Sequence, residues 1–200
     1  MYTPKYFEVT DDKEITAFIQ ANGFGQLTSL LQDKLFATHL PFLFDPKQNK
    51  LLGHLAKQNP QHGELNGQEV LVTLQGSHGY ISPSWYSSPG VPTWNYQVVH
   101  IYGVCTVFNE SEKLATLLNT LTEEYESTLP EPYEPDYNES LLNAIIGIEI
   151  DISKIQCKYK LSQNRTAEER TNIIHHLQAQ NNHSLANVIG AKQKTNPKSE

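Results

Sequence analysis

Residues 24–44 read FGQLTSLLQDKLFATHLPFLF, and the fold class turns on how that stretch is divided. The segment before it has a helical period. Here the period changes, and residues 24–31 and 34–44 read as two strands around a Gln32-Asp33 turn. Further strand-like runs follow at 50–56 and 70–75, then a long one at 95–108 and a last one at 148–161. Six or seven strands therefore arrive in hairpin-like order, with helices inserted between some of them. They do not alternate regularly with helices, which argues against a doubly wound parallel sheet. A mainly β, antiparallel barrel with peripheral helices fits better.

The helical segments carry their own signals. Asp11 can cap a helix, Glu14 stands where a capping box needs it, and Ile15, Phe18 and Ile19 form one face that Gly23 can end. Asn109 can cap a second helix, in which Leu114, Leu117, Leu118, Leu121 and Tyr125 recur with amphipathic spacing. Residues 129–136 are an irregular bridge with three prolines. A short helix over 139–146 leads through Gly147 into the last strand. A final helix is expected over 166–179 with Ile173, Ile174 and Leu177 inward, and a further helical stretch over 184–189. The expected division is a barrel domain over 1–164, a helical extension over 165–194 and a disordered polar tail over 195–200.

The chain has 200 residues, 38% hydrophobic and 18% charged, with a formal net charge of −7. That length can bury a sizeable core. A protein that grips a phosphate backbone usually shows a basic stripe, and here the lysines are scattered. No helix-turn-helix is evident, so direct DNA binding is doubtful. Cys105 and Cys157 each lie in a strand-like run without CxxC spacing, which points to a reducing compartment and strand packing. With no apolar leader and no membrane-length apolar run, a cytoplasmic location is expected. The eight histidines form no metal-ligand pattern, and none is expected to hold a metal.

Four segments look unusual for packing alone. Residues 80–100, YISPSWYSSPGVPTWNYQVVH, hold both tryptophans and three prolines. Aromatics on a proline-stiffened loop make flat walls for a planar ligand or a partner, or else plug the end of their own core. Thr38 and His39 are consecutive in an otherwise apolar strand, so one polar side chain faces each side. That describes a strand wet on one face, or a strand whose end meets a polar ligand. Residues 53–60, GHLAKQNP, end a strand in Lys57 and the amides Gln58 and Asn59, and such a lysine can neutralise a phosphate. Residues 158–166, KYKLSQNRT, put three cations, a hydroxyl and two amides between a strand and a helix. A helix start favours anions, and a solvated turn with capping residues has the same look.

Together, MYTPKYFEV, ATHLPFLFD, GHLAKQNPQ, YISPSWY, VPTWNYQVVHIYG, AIIGIEI and KLSQNRTAEER resemble the PaiB family of FMN-binding negative transcriptional regulators, in order, from residue 1 to about residue 177. The stretch 87–91 is shorter than is usual there. The resemblance implies an FMN-binding split barrel that forms a homodimer with FMN at the subunit interface. It places Lys57, with Asn59 beside it, near the FMN phosphate, and Thr38 and His39 along the flavin ring. Trp85, Trp94 and Asn95 would wall the groove, and Lys160, Ser162, Gln163 and Arg165 would complete a polar end. Two other roles are compatible with such a barrel: a flavin reductase using NAD(P)H, and a haem-handling protein.

Overall fold

The computed structural model describes residues 1–133, 135 and 139–195. In chain order the elements are β1 (Glu8–Val9), α1 (Asp12–Ala21), β2 (Phe24–Leu31), β3 (Lys34–Pro41), β4 (Leu43–Asp45), β5 (Lys50–Ala56), α2 (His62–Leu65), β6 (Glu69–Ile81), β7 (Thr93–Phe108), α3 (Ser111–Glu126), α4 (Glu139–Leu142), β8 (Ile145–Lys160), α5 (Ala167–Ala179) and α6 (His183–Thr195). Among the described residues one sheet runs in the order β3-β2-β6-β7-β8-β5-β4, and β1 pairs with β8. The registered pairs are antiparallel. No described helix is long and apolar enough to cross a membrane.

The chain divides into two compact units, and β6, β7 and β8 run through both. Unit 2 comprises Thr16–Leu74 and His100–Ile155. Its first hairpin is the one read from residues 24–44. Gln32 and Asp33 take φ of 51° and 58°, the paired left-handed values of a type I′ turn, which suits the right-handed twist of the flanking strands. The register Leu27↔Thr38 and Gln26↔His39 puts Thr38 and His39 on opposite faces, as the consecutive polar pair requires. The second strand is shorter than 34–44 suggests. At Phe42 the backbone N–H turns away to Gly23 O at 2.8 Å, and Leu43–Asp45 pairs with β5 instead. The chain thereby changes partner at a corner. Gly53 lets β5 approach it: a Cβ there would lie 2.9 Å from Leu40 Cδ1 and 3.2 Å from Pro41 O.

Helix α3 covers this unit's satellite core, where Leu114, Leu117 and Leu121 pack with Phe108 and Leu142. Asn109 does not cap it. Glu110 is the cap residue, without a side-chain cap bond. The short helix ends at Leu142 rather than 146, and Gly147 lies inside β8 (Ile145–Lys160). The reason is steric: a Cβ at Gly147 would stand 2.2 Å from Phe108 Cζ, so the glycine makes room for a ring instead of ending a helix. Beside α3, Glu149 accepts from Lys50 at 2.5 Å and pairs with Lys113 at 3.0 Å. The Lys50 hydrogen bond, followed by that from Lys113, holds the Glu149 carboxyl below its ordinary range.

Unit 1 comprises Met1–Ile15, Gln75–Val99 and Gln156–Glu200. Its core includes Ile81, Leu161, Ile173, Leu177, Leu185 and Ile189. Thr166 caps α5 with a complete capping box, its hydroxyl accepting from Glu169 N and the Glu169 carboxylate accepting from Thr166 N. The box expected at Asp11 is half made. Asp11 accepts from Glu14 N at 2.8 Å, but the Glu14 carboxylate takes Lys192 Nζ at 2.8 and 2.9 Å. The last helix runs well past 189, to Thr195. The expected tail beyond it and part of the 129–136 bridge lie outside the described residues. Cys105 and Cys157 are free and buried in strands, one in each unit, and burial pushes both thiols up to about 12.

Glu149→Gln is expected to lower the urea midpoint at neutral pH. A depressed carboxyl stabilises the fold above its unfolded value and ceases to as pH falls through its folded value. The gap between wild type and variant therefore closes in acid, which denaturation curves from pH 7 down to about 3 will show.

Candidate functional site

In unit 2 the structure joins two of the unusual segments through a residue the sequence did not single out. Gln61 follows Pro60 in the polar turn region and is fully buried. Its Nε2 donates to Ser29 Oγ at 2.8 Å, and its Oε1 accepts from the Thr38 hydroxyl at 2.6 Å. Thr38 Oγ1 in turn accepts from Asn59 Nδ2 at 2.9 Å, and Asn59 Oδ1 accepts from Gln61 N at 3.0 Å. These four bonds close a relay from β2 through β3 to the 57–61 turn. A buried amide in an apolar surround is costly unless both of its ends are paired, and here they are.

Lys57 stands at the head of that turn. Its N–H donates to Ala144 O at 2.8 Å and its carbonyl meets His62 Nε2 at 3.0 Å, so the backbone is fixed on both sides. The side chain is exposed. Among the described residues no carboxylate stands within ion-pair distance of it, whereas Lys50 and Lys113 are both paired. His39 is exposed on the other face of β3, stacked on Phe24 with ring centroids 6.3 Å apart. That face also carries Leu35, and with Phe24 it leaves two large apolar side chains 78% and 63% exposed. The unit thus has a cation on a fixed backbone, with no carboxylate to neutralise it among the described residues, and a wide apolar sheet face.

Unit 1 holds the other candidates, and their surroundings differ. Asn95 is fully buried, and its Nδ2 donates to Ser162 Oγ at 2.8 Å. Its Oδ1 is buried without a partner. Ser162 adopts φ of 59°, a left-handed conformation in the turn after β8. Lys160 Nζ donates to Thr93 Oγ1. The Gln163 side chain folds back on the backbone, accepting from Leu161 N at 2.7 Å and donating to Tyr159 O at 2.5 Å. Arg165 lies 3.8 Å over the Tyr86 ring and reaches Ser88 Oγ at 3.3 Å, with Glu169 at 3.9 Å. Trp85 is buried and stacked on His176 at 5.0 Å. Trp94 is 53% exposed, with Tyr80 edge-on at 6.2 Å. Asn95 with Ser162, and Trp94, are the members left with a free acceptor or a free ring face. No group of three or more possible metal ligands occurs among the described residues.

A sheet of this strand order, with helices at its margins, defines a split β-barrel. Its backbone matches the flavocytochrome Anf3 of Azotobacter vinelandii with a TM-score of 0.64, at 16% identity over 79% of this chain and 72% of that one. It matches the FAD and heme binding protein of Mycobacterium smegmatis with a TM-score of 0.63, at 13% identity over 76% and 73%. The chain belongs to the family described as "Putative FMN-binding domain", whose model spans residues 1–154. It is 44% identical over 190 residues to the protease synthase and sporulation protein PAI 2 of Bacillus subtilis strain 168, covering 91% of each. FMN is the cofactor that this membership assigns. Lys57, an exposed cation with no carboxylate within ion-pair distance among the described residues, suits the phosphate of such a group. Lys160, Ser162, Gln163 and Arg165 lie beyond the span that the family model matches.

Replacing Gln61 by leucine removes an acceptor from Thr38 and a donor from Ser29 at a fully buried position. The expected cost is about 1–3 kcal/mol of unfolding free energy, read from chemical denaturation. Gln61→Glu keeps the shape but turns a carboxylate oxygen toward Leu27 O and Phe36 O at a buried position, and is expected to cost at least as much as the leucine variant at neutral pH.

Proposed function

We propose that this protein is a homodimeric FMN carrier whose Lys57 segment receives the cofactor's phosphate. The observation that supports this most is the pairing of a fixed backbone with a free cation. The relay through Gln61 and the bonds at either side of Lys57 hold the turn, and no described carboxylate neutralises the ammonium. A phosphate ester near −2 at neutral pH supplies the missing charge. Asn59 Nδ2, beside Lys57, keeps a second N–H beyond its bond to Thr38 that can donate to the same oxygens. His39 and Thr38, on the neighbouring strand, are read as the ring-side residues, with Thr38 acting through the relay.

Unit 1 is read by itself. The exposed Trp94 ring suits the flat face of an isoalloxazine, and the buried Asn95 amide beside it ties β7 to the turn at Ser162. Lys160, Ser162, Gln163 and Arg165 shape the turn behind them, and Trp85 supports it through His176. The second copy is supported by the outer face of β2 and β3, where Phe24, Leu30, Leu35 and Ala37 leave apolar surface exposed. Bound FMN supplies one- and two-electron redox chemistry. With a net charge of −7 and scattered lysines, any regulatory effect passes through the flavin or a protein partner rather than through a grip on duplex DNA. Two reduced, buried thiols agree with a cytoplasmic site of action.

Two measurements test this. Freshly purified or FMN-reconstituted protein is expected to be yellow and to sediment as a dimer, with Leu35→Asp shifting it toward monomer. Lys57→Ala is expected to weaken FMN binding roughly 5- to 150-fold, or about 1–3 kcal/mol, with little change in stability. A colourless monomer that ignores FMN ends the reading, and unchanged affinity in Lys57→Ala removes that residue from the site.

A further inference from the structure

Unit 1 also contains a pocket to which the flavin reading contributes only the Gln163 side chain. It has a volume of 380 Å³, and its walls include Lys5, Glu8, Gln163, Arg170, Lys192 and Gln193. Arg170 lies on α5 and is only 7% exposed. Its Nε is buried without a hydrogen-bond partner. Among the described residues no carboxylate lies within ion-pair distance of its guanidinium.

The nearby acids are engaged elsewhere. Glu169, the preceding residue, accepts from Ser88 N at 3.1 Å and from Ser88 Oγ, with Arg165 at 3.9 Å. Glu14 is held by Lys192. Glu8, the acid on the wall, is exposed on β1 and makes no ion pair with Arg170. A buried lysine or histidine without a counter-ion can shed its proton. An arginine cannot, so its charge stays and calls for an anion. Lys192 is neutralised by Glu14, which leaves Lys5 and Arg170 against Glu8 on the wall, a local positive excess in an acidic chain. The Gln163 amide is spent on backbone groups and serves as wall.

We propose that this pocket binds a small oxyanion, a phosphate or carboxylate group, taken by the planar fork of Arg170 with Lys5 beside it. The fork matches two oxygens at once, which a lysine does not. The pocket lies within unit 1, and the proposal does not depend on the flavin assignment.

The test is thermal unfolding in sodium phosphate, sodium acetate and sodium chloride at equal ionic strength, with and without saturating FMN. Phosphate or acetate is expected to raise the midpoint about 3–5 °C beyond chloride at ten times its dissociation constant. The anion that does so identifies the group as tetrahedral or planar. The shift should persist in the presence of FMN. It should vanish in Arg170→Gln, which is expected to unfold no earlier than wild type in chloride because an uncompensated buried charge is gone. Lys5→Gln, a change at an exposed position, should weaken the anion roughly 2- to 5-fold and serves as the test if Arg170→Gln fails to fold. The proposal is overturned if neither anion exceeds chloride, or if both variants respond as wild type does. It is also overturned if FMN abolishes the shift, because Arg170 would then serve the flavin phosphate.

Discussion

The buried amide of Gln61 is the constraint on which the candidate phosphate site rests. A glutamine with no exposed surface cannot turn to water, so the chain must bring it a donor and acceptors. Thr38 and Ser29 do so from adjacent strands, and Asn59 closes the circuit from the turn itself. The consequence is geometric. A polar, proline-containing connection that could wander is held to the sheet within three residues of Lys57. A cation on a fixed backbone meets a ligand with less ordering cost than one on a loose loop.

The same hairpin separates two tasks by the two-residue period of a strand. Even-numbered positions of β3 face inward, where Thr38 joins the relay and Leu40 joins the core. Odd-numbered positions face outward, where His39 stacks on Phe24 and Leu35 stands open. A one-residue slip would send Thr38 out and break the relay, so the type I′ turn at Gln32-Asp33 protects the site as well as the fold. Holding that register also keeps the apolar face in place for the proposed second copy.

Much of the fold was legible because periodicity and turn chemistry act locally. The hairpin and the amphipathic α3 each follow from residues a few positions apart. What escaped depended on distant neighbours. Gly147 reads as a helix stop until Phe108, far away in sequence, is seen to need its space. Phe42 looks like one more strand residue until Gly23 takes its N–H. At the site, KQNPQ signalled a cation and amides, and the structure shows Lys57 free and Asn59 engaged. Gln61 gave no signal, since nothing local marks a polar residue in a turn as buried. Trp85 and Trp94 looked alike in sequence, yet one is stacked under His176 and the other lies open, a difference set entirely by packing against α5.

The central claim is that Lys57, set by the Gln61 relay, recognises a phosphate rather than merely lying near a flavin. Riboflavin shares the ring and lacks the phosphate, so the ratio of FMN to riboflavin affinity isolates that contact. Titration of apo wild type and apo Lys57→Ala with both flavins measures it. The account predicts a strong preference for FMN in the wild type that largely collapses in the variant, with riboflavin affinity nearly equal in the two proteins. An undiminished preference for FMN in Lys57→Ala would contradict it.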